Sequence, residues 1–414
     1  MTSEERREAR YQRRKAKREA KVQERAKRFT AWEDFFGFDA LHRAYRLCSV
    51  GTRWKGSVQA YEGNLAINTR KTEVELANGT WKSKGFTNFV ILERGKLRHI
   101  QSVHISERCI QRSFCDNCLI PILSSHLIYD NGASLAGKGT DFALNRLQEH
   151  LSSFYRKHGT EGYIWQFDFS HYFANIINAI LIEKVDGLLL YADVIRIYEM
   201  LVGAFGEVGL GLGSQVSQIS AVFYPNPVDH LIKDQLGMRY YARYMDDGYI
   251  LCHDLDRLKE VVAKFKEACA KLGIVLNEKK CHISKISKPF TFLKVRYHLL
   301  PSGKVVRKPN RATARKERQR LKAFSHILPK EEIEQNFYAW MMQQTRGGSF
   351  RTRLSIAQFY MSLYGFPANV NRNPKTRKQK VAAYILRRAK WTYQNKYPEK
   401  EEKSAKTKGV GLND

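Results

Sequence analysis

The chain has 414 residues, 43 % of them hydrophobic, which is enough for a packed core and long enough for two or three domains. Lys and Arg number 71 against 41 Asp and Glu, a formal charge of +30. That excludes an ordinary small-metabolite enzyme as the default reading and favours a polyanionic partner, nucleic acid ahead of an acidic membrane. The charge sits at the ends. Residues 1–30 hold 12 basic and 5 acidic residues, residues 301–414 hold 26 and 8, and only +5 is left between them. The middle reads as an enzyme body and the ends as polyanion-binding arms. No run of 18 apolar residues occurs, so no transmembrane helix and no membrane partner are expected. The polar N-terminal stretch and seven scattered cysteines point to a reduced, cytoplasmic protein without a disulfide framework.

In chain order, residues 4–28 are charged without an apolar stripe; mixed Glu and Arg/Lys at short spacing support a solvated helix, frayed in the absence of RNA. Residues 31–49, with Trp32, Phe35, Phe36, Leu41, Tyr45 and Leu47, read as the first packed helical region, and 50–85, rich in Gly, Asn and Lys, as irregular. Residues 86–92 and 97–103 read as paired strands about Glu93-Arg94-Gly95-Lys96, with glycine where positive φ is easiest. A helix is expected over 106–121. Another is expected over 140–158, where Leu144, Leu147, Leu151 and Phe154 recur at helical spacing before Gly159. Residues 163–169 form an apolar, aromatic strand. Residues 214–236 read as a helix interrupted near Pro225 and Pro227, 239–244 and 247–252 as strands around a tight turn, and 255–272 as a helix stopped by Gly273. A second hairpin is predicted over 290–308, turning at Pro301-Ser302-Gly303; 310–390 reads as helical and 393–414 as a polar, disordered tail.

The chemistry concentrates in Tyr244-Met245-Asp246-Asp247. Two adjacent aspartates at a turn between apolar strands imply exposed carboxylates on a rigid base. Like charges so close repel unless a cation sits between them, and phosphoryl transfer by two metal ions about 4 Å apart needs such a cluster plus a carboxylate from elsewhere. Asp168, at the end of an apolar strand, is the candidate third carboxylate, and pairing within one sheet would bring it beside Asp246. From spacing alone, a turn Asp and a strand-end Asp that never meet is an equal alternative.

These residues resemble a known family. Tyr244-Met245-Asp246-Asp247 is similar to the catalytic turn of reverse transcriptases, and the run from Asp168 to Phe173 resembles their first catalytic motif. Residues 209–218 resemble the template-and-nucleotide loop and the start of its helix, 272–281 the fourth motif, and 292–297 the primer-grip hairpin, all in the family's order. The resemblance implies an α+β right-hand polymerase: a basic extension over 1–30, an N-terminal helical region and fingers over 31–162, and a palm of antiparallel sheet and helices over 163–300. A helical thumb over 301–390 and a polar tail over 391–414 complete it. It implies that Asp168, Asp246 and Asp247, with the Phe169 carbonyl, hold two Mg²⁺ ions, and that Lys280, in preference to Lys279, protonates the leaving pyrophosphate. Nucleotide contacts would come from Lys96, Arg98, Phe169, Phe173, Gly213 and Gln215, with Phe173 as the steric gate that rejects a ribose 2′-OH. One departure stands out: the loop reads Gly211-Leu212-Gly213 where the family often has Pro-Gln-Gly, and Leu212 cannot hydrogen-bond a nucleotide as Gln would.

Arg311, Arg315, Lys316 and Arg318 line the first thumb helix as RNA phosphate contacts. Residues 301–413 contain no aspartate and one histidine, His326, so neither a ribonuclease H site nor a histidine-dependent endonuclease is expected there. Cys115 and Cys118 are one helical turn apart with no second pair, which favours core packing over zinc. Met341, Met342, Phe337 and Trp340 read as helix core. Residues 118–143 and the compact layout look most like bacterial reverse transcriptases of the unknown-group type, in particular the type-two defence-associated kind. That implies a structured noncoding RNA as template, dNTPs as substrates, a cDNA product and antiphage defence. A mobile-element reverse transcriptase, a template-independent or protein-primed DNA polymerase, and a non-catalytic RNA-binding scaffold remain alternatives.

Overall fold

The structure, a computed structural model, describes residues 2–26, 32–93, 96–189, 191–324, 327–344, 349–365 and 376–396. Arg94 and Gly95 of the first predicted turn, His326, and the tail beyond residue 396 lie outside the described residues. The chain divides into two compact units, Met1–His150 with Glu161–Lys285, and Leu151–Thr160 with Ile286–Asp414.

The first unit begins with α1 (Ser3–Ala26), α2 (Trp32–Phe36), α3 (Phe38–Cys48), α4 (Gly56–Gly63) and α5 (Leu65–Ala77). The charged N-terminal stretch is a full helix, not a frayed one. Packing supplies the reason: α1 lies against the helices around His126 and Asp234, and Arg14 Nη1 donates to Asp234 Oδ1 at 2.7 Å. The segment 50–85 is largely helical, contrary to the expectation of irregular chain. Within α4 and α5 only Val58, Tyr61 and Leu76 are buried apolar residues, with Trp81 buried after them. The other inward positions are Thr69 and Thr72, whose hydroxyls donate one turn back to the Leu65 and Asn68 carbonyls at 2.7 and 2.8 Å. Threonine hides the apolar stripe but still closes the helix on itself.

Strands β1 (Phe86–Glu93) and β2 (Lys96–Val103) pair antiparallel as predicted, Phe86 opposite Val103 and Glu93 opposite Lys96. α6 (Ile105–Phe114) runs through a π turn at Cys115–Leu119 into α7 (Ile120–His126), and both cysteines of the pair are buried in the core. α8 (Thr140–His158) leads to β3 (Tyr163–Asp168), a 3₁₀ turn at Tyr172–Asn175, α9 (Asn178–Asp186) and α10 (Ala192–Gly203). α11 (Gln215–Phe223), α12 (Asn226–His230) and a π turn at Leu231–Gln235 follow the predicted interruption at the prolines. β4 (Tyr241–Tyr244), β5 (Asp247–Cys252), α13 (Leu255–Ala270) and β6 (His282–Lys285) complete the unit. The sequence pattern predicts neither α9 and α10 nor β6, which is short and partly exposed and so has little hydrophobic signature.

The four-stranded sheet has the order β4-β5-β3-β6, with every neighbour antiparallel. Five of the six β3 residues are buried. α13 covers β3 and β5, starts at Asp254, whose carboxylate caps the Asp256 and Arg257 amides at 2.8 and 3.1 Å, and ends before Gly273 at φ +65°. Phe265 on α13 meets Trp165, Phe167 and Phe169, with ring centroids 5.0, 4.7 and 6.3 Å away.

In the second unit, β7 (Phe290–Phe292), β8 (Val295–Leu299) and β9 (Val305–Pro309) form a three-stranded meander where one hairpin was expected. The additional turn is Leu293-Lys294, both at positive φ (45° and 68°), the primed two-residue geometry without the Asn or Gly that announces it. At the predicted turn the ring of Tyr155 fills the place of a Cβ on Gly303, and its hydroxyl donates to Pro301 O at 2.7 Å. Helices α14 (Arg311–Phe324), α15 (Lys330–Gln343), α16 (Phe350–Tyr364) and α17 (Arg377–Lys396) share their own core, with Phe337 stacked on Tyr360 at 4.1 Å and Met341 fully buried. α17 carries helix to Lys396, past the predicted start of the tail.

Phe265→Ala opens a cavity beneath β3. The expected loss is about 3–5 kcal/mol of stability, read by urea unfolding; a loss under about 1 kcal/mol would show that this ring does not anchor the sheet.

Candidate active site

β3 ends at Asp168 and β5 begins at Asp247, and the strand register sets these two residues opposite each other. Tyr244 is in turn opposite Asp247, which leaves Met245 and Asp246 as the tip of the β4–β5 hairpin. Sequence reasoning expected Asp168 beside Asp246; the cross-strand partner is Asp247, while the Asp246 carbonyl accepts from the Phe169 amide at 3.0 Å. Met245 adopts φ +57°, so the tip is tight. Gly248 is required by close approach: a Cβ there would lie 2.1 Å from Phe167 Cζ. The three carboxylates are thus gathered by backbone pairing on a packed aromatic base.

Their electrostatics follow. Burial, then the charges of Asp246 and Asp168 and a hydrogen bond to Asp168, push the Asp247 carboxyl up to about 7. Burial and the neighbouring Asp168 also raise Asp246, against the lowering pull of Lys280 and Arg98. Lys280 Nζ donates to Asp168 Oδ2 at 2.7 Å, and Asn277 Nδ2 to Asp168 Oδ1 at 3.2 Å. Burial works against the Lys280 ammonium, but the carboxylates outweigh it and hold its pKa above the usual value. Among the described residues, no three His, Cys, Asp or Glu side chains converge as a ready-made metal centre. The donor chemistry nonetheless fits hard divalent cations: three carboxylates at one tip, each disfavouring the charge of the next.

The remaining sequence candidates fall around this tip or apart from it. Phe169 is buried against Phe167 and Tyr172, so its ring is core and only its backbone reaches the site. Phe173 is half-buried after a turn in which His171 takes φ +46°. Its carbonyl accepts from Leu210 N at 2.8 Å, and Gly209 N donates to Ile176 O at 2.7 Å, so the 209–213 loop is laced to this turn. On its other side Gln101 N in β2 donates to Leu212 O at 3.1 Å, and Gly213, at φ +118°, leaves room for no side chain against Gln101 O. Gln215 starts α11; its amide N–H donates to Gln111 Oε1 at 3.3 Å and its side chain to Asp116 Oδ1 at 3.1 Å. Arg98 on β2 is near enough to lower Asp246, while the Lys96 side chain lies outside the described residues. In the second unit Arg315, Lys316 and Arg318 are exposed on α14, with Arg318 Nη2 on Ser355 Oγ at 2.7 Å; the Arg311 side chain lies outside the described residues.

Sequence reasoning missed Asn277 and a buried ion pair behind the turn. Arg243 and Asp229 are both fully buried, Arg243 Nη2 donates to Asp229 Oδ2 at 2.6 Å, and Tyr241 Oη donates to Asp229 Oδ1 at 2.5 Å. The sequence offered little signal, since Asp229 stands near His230, Lys233 and Asp234, and Arg243 near Arg239 and Asp246.

Residues 93–297 match the family model described as reverse transcriptase (RNA-dependent DNA polymerase). Among solved structures, apo telomerase from Candida tropicalis is 14 % identical over 79 % of this chain and 63 % of its own, with a TM-score of 0.48. Telomerase from Candida albicans in complex with a TWJ fragment of telomeric RNA is 12 % identical over 75 % of this chain and 60 % of its own, TM-score 0.46. A C. tropicalis apo telomerase truncated of its C-terminal domain is 14 % identical over 54 % and 55 %, TM-score 0.43. The chain therefore spans 55 to 63 % of the length of these telomerases. A search of curated proteins finds no match.

Gly248→Ala forces Phe167 out of its place beneath the tip. A loss of about 1–3 kcal/mol is expected in a chemical unfolding titration; an unchanged midpoint would mean the ring has free space beside it.

Proposed function

We infer that this chain, whose residues 93–297 are a reverse transcriptase domain on an α+β right-hand polymerase fold, is an RNA-directed DNA polymerase that copies RNA into cDNA at the Asp168–Asp246–Asp247 tip. The observation that carries the reading is the register of β3 on β5, which sets Asp168 against Asp247 with Asp246 at the adjoining turn and Lys280 bonded to Asp168. We assign the fingers to the helices and hairpin before β3, the palm to the four-stranded sheet with its helices, and the thumb to the helices from α14 onward.

Asp168, Asp246 and Asp247, with the Phe169 carbonyl, would hold two Mg²⁺ ions, which when bound supply charge neutralisation of the attacking 3′-oxygen and the leaving pyrophosphate. The chain's own residues do the rest. Lys280 keeps its proton among the carboxylates and is placed to deliver it to the pyrophosphate as that group leaves. Arg98 and Lys96 on β2 bring positive charge to the triphosphate. Gly213 gives the incoming dNTP close access to backbone, and Gln215 holds the start of α11. Phe173 stands where a ribose 2′-OH would collide with its ring. Arg311, Arg315, Lys316 and Arg318 on α14 would grip the RNA phosphates without regard to sequence.

The template we propose is a dedicated structured noncoding RNA, and the setting bacterial antiphage defence. The support is the resemblance of residues 118–143 and the compact layout, together with the basic stretches at both ends of the chain. Sequencing the RNA that co-purifies from the native locus tests this: one RNA species with a repeated complementary DNA supports it, and heterogeneous RNA with general copying favours a mobile-element polymerase.

Asp246→Asn should abolish primer extension while leaving RNA affinity within about twofold, because the carboxylate acts on charge that develops in the transition state; measurable synthesis would remove the assignment. Phe173→Ala should admit ribonucleotides, read as the ratio of rNTP to dNTP incorporation. An unchanged ratio would place the gate elsewhere.

A further inference from the structure

We propose that the buried Arg243–Asp229 pair is a positioning device that fixes the catalytic turn and ties it to the helix following the 209–213 loop; this rests on the polymerase reading above. Arg243 lies on β4, directly before the Tyr-Met-Asp-Asp turn, and is 1 % exposed; Asp229 on α12 is 0 % exposed. The guanidinium grips the carboxylate from two sides, Nε to Oδ1 at 2.9 Å and Nη2 to Oδ2 at 2.6 Å, while Tyr241 Oη holds Oδ1 at 2.5 Å. Its remaining donors reach two carbonyls in different elements: Nη1 donates to Met245 O at 2.8 Å and Nη2 to Val222 O, near the end of α11, at 2.9 Å.

Stability alone does not call for this arrangement, since a buried ion pair can usually be replaced by apolar residues of similar volume with little or no loss of fold stability. What apolar residues cannot do is bond carbonyls. Met245 sits at φ +57°, a region a non-glycine residue enters reluctantly, and the residue after it is Asp246. The planar guanidinium is rigid and presents its donors at fixed angles, so holding Met245 O fixes the peptide from which the Asp246 side chain departs. Arg243 is held along its backbone too: its N–H donates to Asp130 O at 3.2 Å and its carbonyl accepts from Gly132 N at 2.9 Å. The other end of the device is α11, whose first residues follow the loop laced to β2 and to Phe173. A shift of that loop would therefore reach Met245 through α11 and one rigid guanidinium. Asp229 and Arg243 touch no reacting atom, so the role is positioning and not catalytic.

The test is the triple variant Arg243→Met, Asp229→Leu, Tyr241→Phe, which removes the three polar side chains together, leaves no unpaired charge and takes the guanidinium from the Met245 and Val222 carbonyls. Expected is a folded protein with wild-type RNA affinity and a dNTP KM changed only slightly. Its kcat should fall by about 100-fold, the scale on which a misplacement of about 1 Å is felt. Amide hydrogen exchange over residues 244–248 should quicken while that of β3 is unchanged. Arg243→Lys serves if the triple variant does not fold: it keeps the charge beside Asp229 but cannot reach both carbonyls, and the same kcat loss and faster exchange are expected. Wild-type kcat together with unchanged exchange in either folded variant overturns the proposal. If the wild-type protein makes no DNA, the polymerase reading fails, and the exchange readout still decides whether Arg243 fixes the turn.

Discussion

Like-charge crowding at one sheet tip is the constraint around which the first unit is organised. Left to themselves, Asp168, Asp246 and Asp247 would separate into water; here a backbone ladder prevents it, with six cross-strand pairs joining β3 to β5 from Tyr163–Cys252 to Asp168–Asp247. The ladder is itself stiff because its underside is solid. Trp165, Phe167 and Phe169 point into the core, Phe265 seals them, and Gly248 exists so that Phe167 can come close. Burial, and then the repulsion, raises the pKa values of the Asp246 and Asp247 carboxyls, with Lys280 as a compensating cation bonded to Asp168. A site so arranged is most relaxed when positive charge enters it, which is the property that two-cation phosphoryl transfer requires.

Around this tip the surrounding elements are braced by hydrogen bonds as well as by apolar contact. The 209–213 loop bonds to the 3₁₀ turn through Leu210 N and Phe173 O, and to β2 through Gln101 N and Leu212 O. Helix α11 is pinned at its start by Gln111 and Asp116 and near its end by Arg243. The Leu212 side chain cannot hydrogen-bond a nucleotide as Gln would. In the structure its carbonyl is what the loop uses, and any residue supplies a carbonyl. That bond joins the loop to the β1–β2 hairpin.

Legibility in the sequence follows from how local each feature is. The hairpin around Tyr244–Asp247 was readable because two apolar runs flank a turn-forming pair, and α8 because its leucines recur at helical spacing. The ion pair between Arg243 and Asp229 was not, since it joins residues fourteen apart across a strand and a helix, and a single residue of each type gives no period. Register was similarly hidden: alternation shows which face is buried, but it does not decide whether Asp168 meets Asp246 or Asp247, and only the pairing does. Helix α5 escaped because Thr69 and Thr72 stand where apolar residues would mark the stripe, and α4 because it is eight residues long with a glycine at each end. The Leu293-Lys294 turn escaped because it takes left-handed backbone without glycine. The motifs carry the site; the braces that hold it are tertiary.

Sequencing the DNA made on a defined heteropolymeric RNA, supplied with Mg²⁺ and all four dNTPs, tests the central claim most directly. The account predicts DNA complementary to that RNA over its copied length. DNA unrelated in sequence to the RNA, or no DNA from a protein that binds the RNA well, would contradict it.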